Sequence, residues 1–222
     1  MAANIIDQAH DRVRSLYGPA IGRARDDVTT PALLLDLDVL KANLNFMAEH
    51  MRDAPASLRA HVKVHKSPHI ARMEVEAGAI GIGCATVWEA IVMARAGIRD
   101  VFVINEMVGA EQLRALALLA RECDAKVAVD DPVHVDSLSV AATTAGSKIG
   151  VLIDVDEGMR RCGVASPDEA LVLASGAAAP PTPTSAPRKR SAAIGRAPDG
   201  PTTRRASSAA IRTAAAISSS LT

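Results

Sequence analysis

Aromatic side chains are the scarcest class in this chain of 222 residues, which contains one Trp, one Tyr and two Phe. Because 49% of the residues are apolar, one sizeable core is possible, but it must be built from Ala, Val, Ile and Leu. No apolar run reaches the roughly 18 residues that a membrane-spanning helix needs. We therefore predict a soluble protein without a membrane span.

Cysteine is also scarce, and the three cysteines, Cys84, Cys123 and Cys162, are widely spaced and form no C-x-x-C pair. This pattern is typical of reduced thiols in a cytoplasm and not of a disulfide framework. The first residues, MAANIIDQAHDRVR, contain an acid at Asp7 and no apolar core. No secretory signal is expected there, and the sequence predicts a cytoplasmic protein.

The formal net charge is +0, but the charges are unevenly placed. Residues 176–222 contain seven basic residues and a single acid, Asp199, whereas the chain before them is acidic overall. This tail is rich in Ala, Pro, Ser and Thr and has few bulky aliphatic residues, so we predict disorder. The composition changes abruptly at the start of this tail, as is typical of GC-rich DNA read out of frame. We therefore hypothesise that the chain is frameshifted or truncated. A native basic tail is the alternative, and the coding DNA read in the other frames tests it.

Short apolar runs alternate with helical patterns from Thr30 onward. Apolar runs predict strands at 31–37, 58–63, 79–85, 100–106, 125–130 and 147–156. Helical spacing predicts helices, the first with Asp38 as its expected N-cap, at 38–51, 68–79, 87–97, 110–123, 131–146 and 166–175. Continuous apolar strands, each followed by an amphipathic helix, indicate a parallel sheet covered by helices.

Two sheet architectures fit this alternation, an α/β barrel and an open doubly wound sheet. No G-x-G-x-x-G follows the first predicted strand, so the usual dinucleotide fingerprint is missing. The regular strand-plus-helix repeat favours the barrel. The sequence thus divides into an N-terminal extension at 1–29, a partial barrel at 30–175 and the tail at 176–222.

The stretch LRAHVKVHKS, residues 58–67, ends a predicted strand at Lys63. The carboxyl ends of barrel strands line the active-site mouth, where a partly desolvated lysine loses some of its preference for the charged form. Such an amine can form a Schiff base with pyridoxal phosphate (PLP). From the spacing alone, a solvated lysine at a strand end is the alternative.

The histidines of this stretch suggest a metal site only at first sight. His61, His65 and His69 stand at i, i+4 and i+8, which would place them on one face of a single helix. Pro68 is expected to begin the helix, however, which leaves His61 and His65 outside it. We favour a solvated or hydrogen-bonded histidine cluster and predict no metal ligand here.

A second candidate segment is IDVDEGMRRCGV, residues 153–164, where a strand ends in acids and a glycine turn leads to Arg160 and Arg161. An arginine at this position could contact an anionic or phenolic oxygen in the mouth. A merely solvated turn is the alternative. Asp154 and Asp156 could form paired carboxylates, but nothing else in the sequence supports an acid–base pair.

Five segments in order resemble one enzyme family: TPALLLDLDVLKANL, RAHVKVHKS, GAIGIGCATVWEA, AGIRDVFVINEMVG and IDVDEGMRRCGV. Over about residues 28–175 the chain resembles the fold-type III PLP enzymes, in the D-threonine aldolase and D-serine dehydratase group related to alanine racemase. The resemblance implies a (β/α)8 TIM-barrel of the alanine racemase N-terminal type, which ends here after about five strands. It also implies a following β-domain, to whose sheet 31–37 would belong, and a homodimer.

The resemblance also implies roles for particular residues. Lys63 stands where the family keeps its catalytic, PLP-binding lysine, and Arg161 where an arginine lies near the phenolic oxygen of the cofactor. His61, His65 and Asn105 lie in matching segments and are expected to bind the cofactor. Ala60 and Val64 replace a proline and a threonine that the family more often has, and neither change removes the amine.

The resemblance places the phosphate-binding loops and the His and Asp ligands of a divalent metal, Mn or Zn, beyond residue 175. No residue of the tail matches them, and an amine without its phosphate anchor should bind the cofactor weakly. The implied activity is retro-aldol cleavage of a D-3-hydroxy amino acid to glycine and an aldehyde. D-serine dehydration, amino-acid racemisation and an inactive fragment are the alternatives, and we expect no nucleic-acid or membrane partner.

Overall fold

The computed structural model describes residues 11–178 and the backbone of Ser220–Leu221. The chain forms two compact units, Met1–Asn43 and Leu44–Thr222. Apart from those two residues, the predicted disordered or frameshifted tail lies outside the described residues from 179 onward. In the described part, no helix is long and apolar enough to cross a membrane.

The first unit contains a helical segment at 11–17 and two short 3-10 turns, Gly18–Ala20 and Arg25–Asp27. The apolar run predicted as a strand at 31–37 forms no strand within the described residues of this unit. Its leucines are exposed, and an extended segment without a partner gains no ladder of hydrogen bonds.

Helix α1, Leu37–Arg52, begins one residue earlier than expected. The Oδ1 atom of Asp36 accepts hydrogen bonds from the backbone N–H groups of Asp38 and Val39, each at 3.0 Å. The N-cap is therefore Asp36, and the prediction of Asp38 was wrong by two residues.

The second unit contains the sheet. Its strands are β1 Ala60–His61, β2 Ile82–Cys84, β3 Asp100–Val103, β4 Asp124–Val129, β5 Ile149–Ile153 and β6 Ser220–Leu221. The first five are parallel and stand in sequential order, while β6 pairs antiparallel with β5. An open doubly wound sheet reverses its strand order from one half to the other, whereas a barrel does not. The sequential order confirms the α/β architecture of the barrel type.

Helices alternate with the parallel strands, as predicted. They are α2 Pro68–Glu76, α3 Val87–Arg95, α4 Ala110–Leu119, α5 Pro132–Ala145 and α6 Pro167–Ala178. The expected caps are present: Ser67 Oγ accepts from the N–H of Ile70 at 3.4 Å and Thr86 Oγ1 from that of Glu89 at 3.2 Å. These hydroxyls satisfy backbone donors that a helix start leaves free.

The core lies between the sheet and these helices and is aliphatic, as the shortage of aromatics requires. Successive side chains of a strand point to opposite faces, so Val101 and Val103 are fully buried under the helices while Asp100 and Phe102 face the other way. Leu116 of α4 and Leu138 of α5 are buried in the same cluster. The two faces of the sheet therefore differ in burial, although the sequences of the strands are continuous apolar runs.

The other face carries an ion network at the amino-terminal ends of the strands. Arg59 donates to Asp100 through two bonds of 2.7 and 3.1 Å, and the Nζ atom of Lys126 lies 2.8 Å from the same carboxylate. Gly81 and Gly150 leave the necessary room, because a Cβ at either position would overlap the Arg59 or Lys126 side chain. This network lies at the end of the strands opposite to the predicted site.

Candidate active site

Lys63 lies on a turn just beyond the sheet. Strand β1 ends at His61, and residues 62–65 form the turn, so the strand ends two residues earlier than predicted. The N–H of Lys66 donates to the carbonyl of Val62 at 2.7 Å and closes the turn. Val62 is fully buried, and its own N–H donates to Gly83 of β2 at 3.0 Å. The turn is thereby anchored at its base.

The amine of Lys63 differs from its neighbours in having no ionic partner. The Lys63 side chain is exposed, and its Nζ has no ion-pair or hydrogen-bond partner among the described residues. Lys66, three residues on, forms an ion pair with Glu89 of α3. Of the two lysines of the turn, Lys63 is therefore the one free to react.

The three histidines do not converge on one point. The Nδ1 atom of His61 accepts from the N–H of Lys63 at 3.2 Å, and that of His65 accepts from the N–H of Ser67 at 3.0 Å. His69 lies on α2 with Arg72 at 2.9 Å from its Nδ1. Each ring has a different partner. The Nδ1 atoms of His61 and His65 already accept backbone N–H groups of the turn and of the residue that caps α2.

Asn105 follows β3 and binds the segment that connects β2 to α3. Its Nδ2 donates to the carbonyl of Ala85 at 2.8 Å, while the N–H of Ala85 donates to Glu89 Oε2 at 2.8 Å. Burial raises the pKa of Glu89, but the hydrogen bonds from Lys66 and Ala85 outweigh it and hold that pKa below its usual range. Glu89, which the sequence did not single out, joins the turn of Lys63 to the segment held by Asn105.

Arg161 lies on a tightly closed turn after β5. Val155 and Val164 pair in parallel, and the carboxylate of Asp156 accepts from the N–H groups of Gly158 and Arg160, both at 2.9 Å. These two N–H groups, that of Arg160 first, lower the pKa of Asp156. Asp156 thus shapes the turn instead of pairing with a second carboxylate, and Arg161 is exposed at its tip.

A second group of side chains, which sequence reasoning missed in large part, lies at the ends of β3 and β5. Ligand atoms of Glu106, Asp154 and Cys162 lie within 4.8 Å of one another, a donor set that could hold a metal ion. Glu106 Oε1 is buried and has no hydrogen-bond donor in the described part of the chain. Burial, and then the carboxylates of Asp130 and Asp154, raises the pKa of Glu106. The available signal was position, because Asp154 comes directly after β5 and Glu106 comes three residues after β3.

Asp130, after β4, connects this group to the Arg161 turn. Its Oδ2 accepts from the N–H of Gly163 at 3.1 Å, and its Oδ1 lies 3.1 Å from Nδ1 of His134 on α5. A cavity of about 360 Å³ lies against α1 and α2, and its lining includes Met47, Ala79 and Glu74, the last of which is 3.5 Å from His65.

The predicted residues Lys63, Asn105 and Arg161 follow the first, third and fifth parallel strands. In parallel sheets the carboxyl ends meet at one edge, which is where α/β proteins place their sites. An exposed amine without a partner, on an anchored turn, fits the covalent attachment of PLP, and an exposed arginine at the same edge fits an anionic oxygen of that cofactor. Together they define the class, an α/β protein whose candidate site, with an unpaired lysine, lies at the carboxyl edge of its sheet.

Comparison with known proteins gives the family. The family model for the alanine racemase N-terminal domain matches residues 35–184, and the chain belongs to this family. It is 44% identical over 147 residues to a D-threonine aldolase of an Arthrobacter species and 35% identical over 169 residues to a 3-hydroxy-D-aspartate aldolase of Paracoccus denitrificans (strain Pd 1222). These alignments cover 66% and 75% of this chain.

Solved structures agree with this assignment. The crystal structure of D-threonine aldolase from Filomicrobium marinum matches 68% of this chain with a TM-score of 0.66 and 44% identity, and the match covers 40% of that protein. The chain spans 38% and 44% of the two aldolases compared above, about two fifths of their length.

Proposed function

We propose that this chain carries the cofactor-lysine part of a PLP-dependent D-amino-acid lyase, which cleaves D-3-hydroxy amino acids to glycine and an aldehyde. The observation that carries the proposal is the exposed, unpaired amine of Lys63 on its anchored turn at the carboxyl end of β1. Membership of the alanine racemase N-terminal domain family and 44% identity to a D-threonine aldolase support it.

In this proposal the residues of the chain bind and orient the cofactor. Lys63 holds PLP covalently through Nζ, and Arg161 binds its phenolic oxygen. His61, His65 and Asn105 complete the set predicted to act at the cofactor. PLP, when bound, supplies an electron sink for the reacting carbon.

The reaction sets further requirements. The Cα–Cβ bond breaks, the 3-hydroxyl loses its proton as it becomes the aldehyde carbonyl, and Cα takes up a proton to give glycine. A base and a divalent metal, Mn or Zn, would act on the 3-hydroxyl. We propose that the metal ligands lie in the part of the enzyme that follows residue 175, and that the whole enzyme works as a homodimer.

Dehydration is the second candidate. The chain is 34% identical over 147 residues to a D-threo-3-hydroxyaspartate dehydratase of Delftia sp. (strain HT23), and the structure of that enzyme matches with a TM-score of 0.60. Cleavage releases glycine and an aldehyde, whereas dehydration of the same substrate class releases ammonia and a 2-oxo acid. Product analysis with D-threonine and D-3-hydroxyaspartate therefore separates the two.

The cofactor site is tested with the full chain, PLP and borohydride, which fixes PLP on the lysine that holds it. We expect an absorbance band that Lys63→Ala removes, and a phosphopyridoxyl group on the peptide that contains Lys63. Lys66→Ala is the matched control and should keep the band, because the Lys66 amine is already paired with Glu89. Without a band, or with one that survives Lys63→Ala, the proposal is wrong and the chain is an inactive fragment.

A further inference from the structure

The turn that carries Lys63 is held on both sides by histidine rings. His61 and His65 each use Nδ1 to accept the backbone N–H two residues further on, at 3.2 Å from Lys63 and 3.0 Å from Ser67. We propose that both are positioning residues that fix the direction of the Lys63 side chain through these two bonds. The inference rests on the proposed cofactor role of Lys63 and gives the two histidines a task apart from contact with PLP.

His61 acts at the start of the turn. It is the last residue of β1, so its ring is carried by the sheet, and its partner is the N–H of Lys63 itself. An imidazole can accept at Nδ1 only while that nitrogen carries no proton. Burial, and then the charge of Lys63, lowers the pKa of His61, which favours the neutral ring that the bond requires.

His65 acts at the end of the turn. Its partner, Ser67, is the N-cap of α2, so the bond joins the turn to the first turn of that helix. The Nε2 atom of His65 lies 3.5 Å from Glu74 Oε2, and both side chains are only 17% exposed. With Nδ1 accepting, the ring proton lies on Nε2, on the side of the ring that faces Glu74.

Between these two bonds only the tip of the turn is free. Val62 is buried, whereas Val64 is 86% exposed and the Lys63 side chain is exposed beside it. A reactive amine whose backbone is already ordered needs less reorganisation when it attacks a bound aldehyde. With both histidine hydrogen bonds in place, Lys63 should therefore react faster with PLP than it would on a turn without them.

Two amide substitutions separate the two ring nitrogens. Asparagine places its side-chain oxygen near the position of Nδ1, and glutamine reaches towards the position of Nε2. His61→Asn and His65→Asn should keep the bond to the turn, whereas His61→Gln and His65→Gln should lose it. Both variants of a given histidine lose the imidazole ring and gain an amide, so they differ only in the position that the amide reaches.

The first readout needs no cofactor. We expect amide hydrogen exchange at Lys63 and Ser67, followed residue by residue by NMR, to stay slow in the asparagine variants and to rise about tenfold in the glutamine variants. The second readout is the rate at which borohydride traps PLP on Lys63. At each position it should be about tenfold slower for the glutamine variant than for the asparagine variant, the value of one lost hydrogen bond.

The outcomes are distinguishable. If the asparagine variants lose protection or trapping as much as the glutamine variants, the Nδ1 bonds do not position Lys63 and the inference is overturned. Changed exchange with unchanged trapping also overturns it, because the bonds would then be structural only. If the wild type itself traps no PLP on Lys63, the proposed function fails, while the exchange pattern still decides whether the histidines hold the turn. A thermal melt of each variant confirms that it is folded.

Discussion

At the scale of single residues, two arginines stand side by side at the candidate site and only one is assigned to the cofactor. Both Arg160 and Arg161 are exposed, but the backbone of Arg160 is held in the left-handed region, at φ 52°, by its N–H bond to Asp156. Arg161→Ala should weaken PLP binding about tenfold or more, which corresponds to one charge-assisted hydrogen bond.

Arg160→Ala is the matched control, since alanine keeps the N–H that closes the turn. Titration of PLP against each variant, followed by absorbance, measures the two dissociation constants. Equal losses in both variants would show that general positive charge, and not Arg161 itself, attracts the cofactor.

Glu106 supplies a prediction about stability. Burial, followed by the nearby carboxylates, raises its pKa in the folded chain. The stability that Glu106 contributes is then fully present below its unfolded pKa and is lost as the pH rises through the folded pKa. Glu106→Gln does not titrate and can donate to Asp154, so it should be more stable than the wild type at neutral pH by about 1 kcal/mol.

This gain should shrink in acid, where the wild-type carboxyl is protonated. Denaturant unfolding at neutral and acidic pH measures it, with the exposed Glu122→Gln as the control that should change little at either pH. A gain that is the same at both pH values would contradict the assignment of the effect to ionisation.

At the scale of elements, the turn after β5 depends on a glycine that no other residue can replace easily. Gly163 has a φ of 96°, and a Cβ there would lie 2.6 Å from the backbone N of Asp156. Gly163→Ala should therefore cost about 2–3 kcal/mol of folding free energy and should displace Arg161.

Gly176, in α6, is the matched control because a Cβ there meets nothing within 4 Å. Gly176→Ala should instead stabilise the chain by about 0.5–1 kcal/mol, since alanine is the better helix former. Urea unfolding of both variants tests the pair, and a mild effect at Gly163 would mean that the turn can open without strain.

The elements themselves were largely readable from the sequence, and the reason is local. Ser67 and Thr86 cap helices as expected because a hydroxyl before a helical pattern can satisfy free N–H groups with its neighbours alone. Lys63 was assigned to the end of a strand but lies on a turn, because β1 ends where its pairing with β2 ends. That end depends on a neighbouring strand some twenty residues away, which local patterning does not contain.

At the scale of the whole molecule, one ion network joins two strands and the segment that precedes a third. Arg59 before β1, Asp100 in β3 and Lys126 in β4 meet on one face of the sheet. Burial raises the pKa of Asp100, but its hydrogen bonds from Arg59 and Lys126 outweigh this and lower that pKa below its usual range. Its stabilising contribution is therefore present above the unfolded pKa and is lost as the pH falls through the folded pKa.

Asp100→Asn should reduce the free energy of unfolding by about 2 kcal/mol at neutral pH, because the largely buried Arg59 loses its carboxylate and Lys126 keeps only Asp124. The deficit should narrow as the wild-type carboxyl becomes protonated in acid. Denaturant unfolding across that range, with the exposed Asp136→Asn as control, provides the measurement. If the loss in unfolding free energy does not change with pH, Asn disturbs the packing of the network and not its charge interactions.

The sequence by itself determined the alternation of strands and helices, the aliphatic core, the family and the choice of Lys63 as candidate. Each of these depends on residue types and spacing along a short stretch of chain, which local physics converts directly into structure. Only the tertiary structure decided that Glu89 neutralises Lys66, that Glu106 lies beside Asp154 and Cys162, and that Asp100 joins Arg59 to Lys126. These contacts join residues far apart in the chain, and they form because parallel pairing aligns the ends of successive strands at one edge, which no single segment specifies.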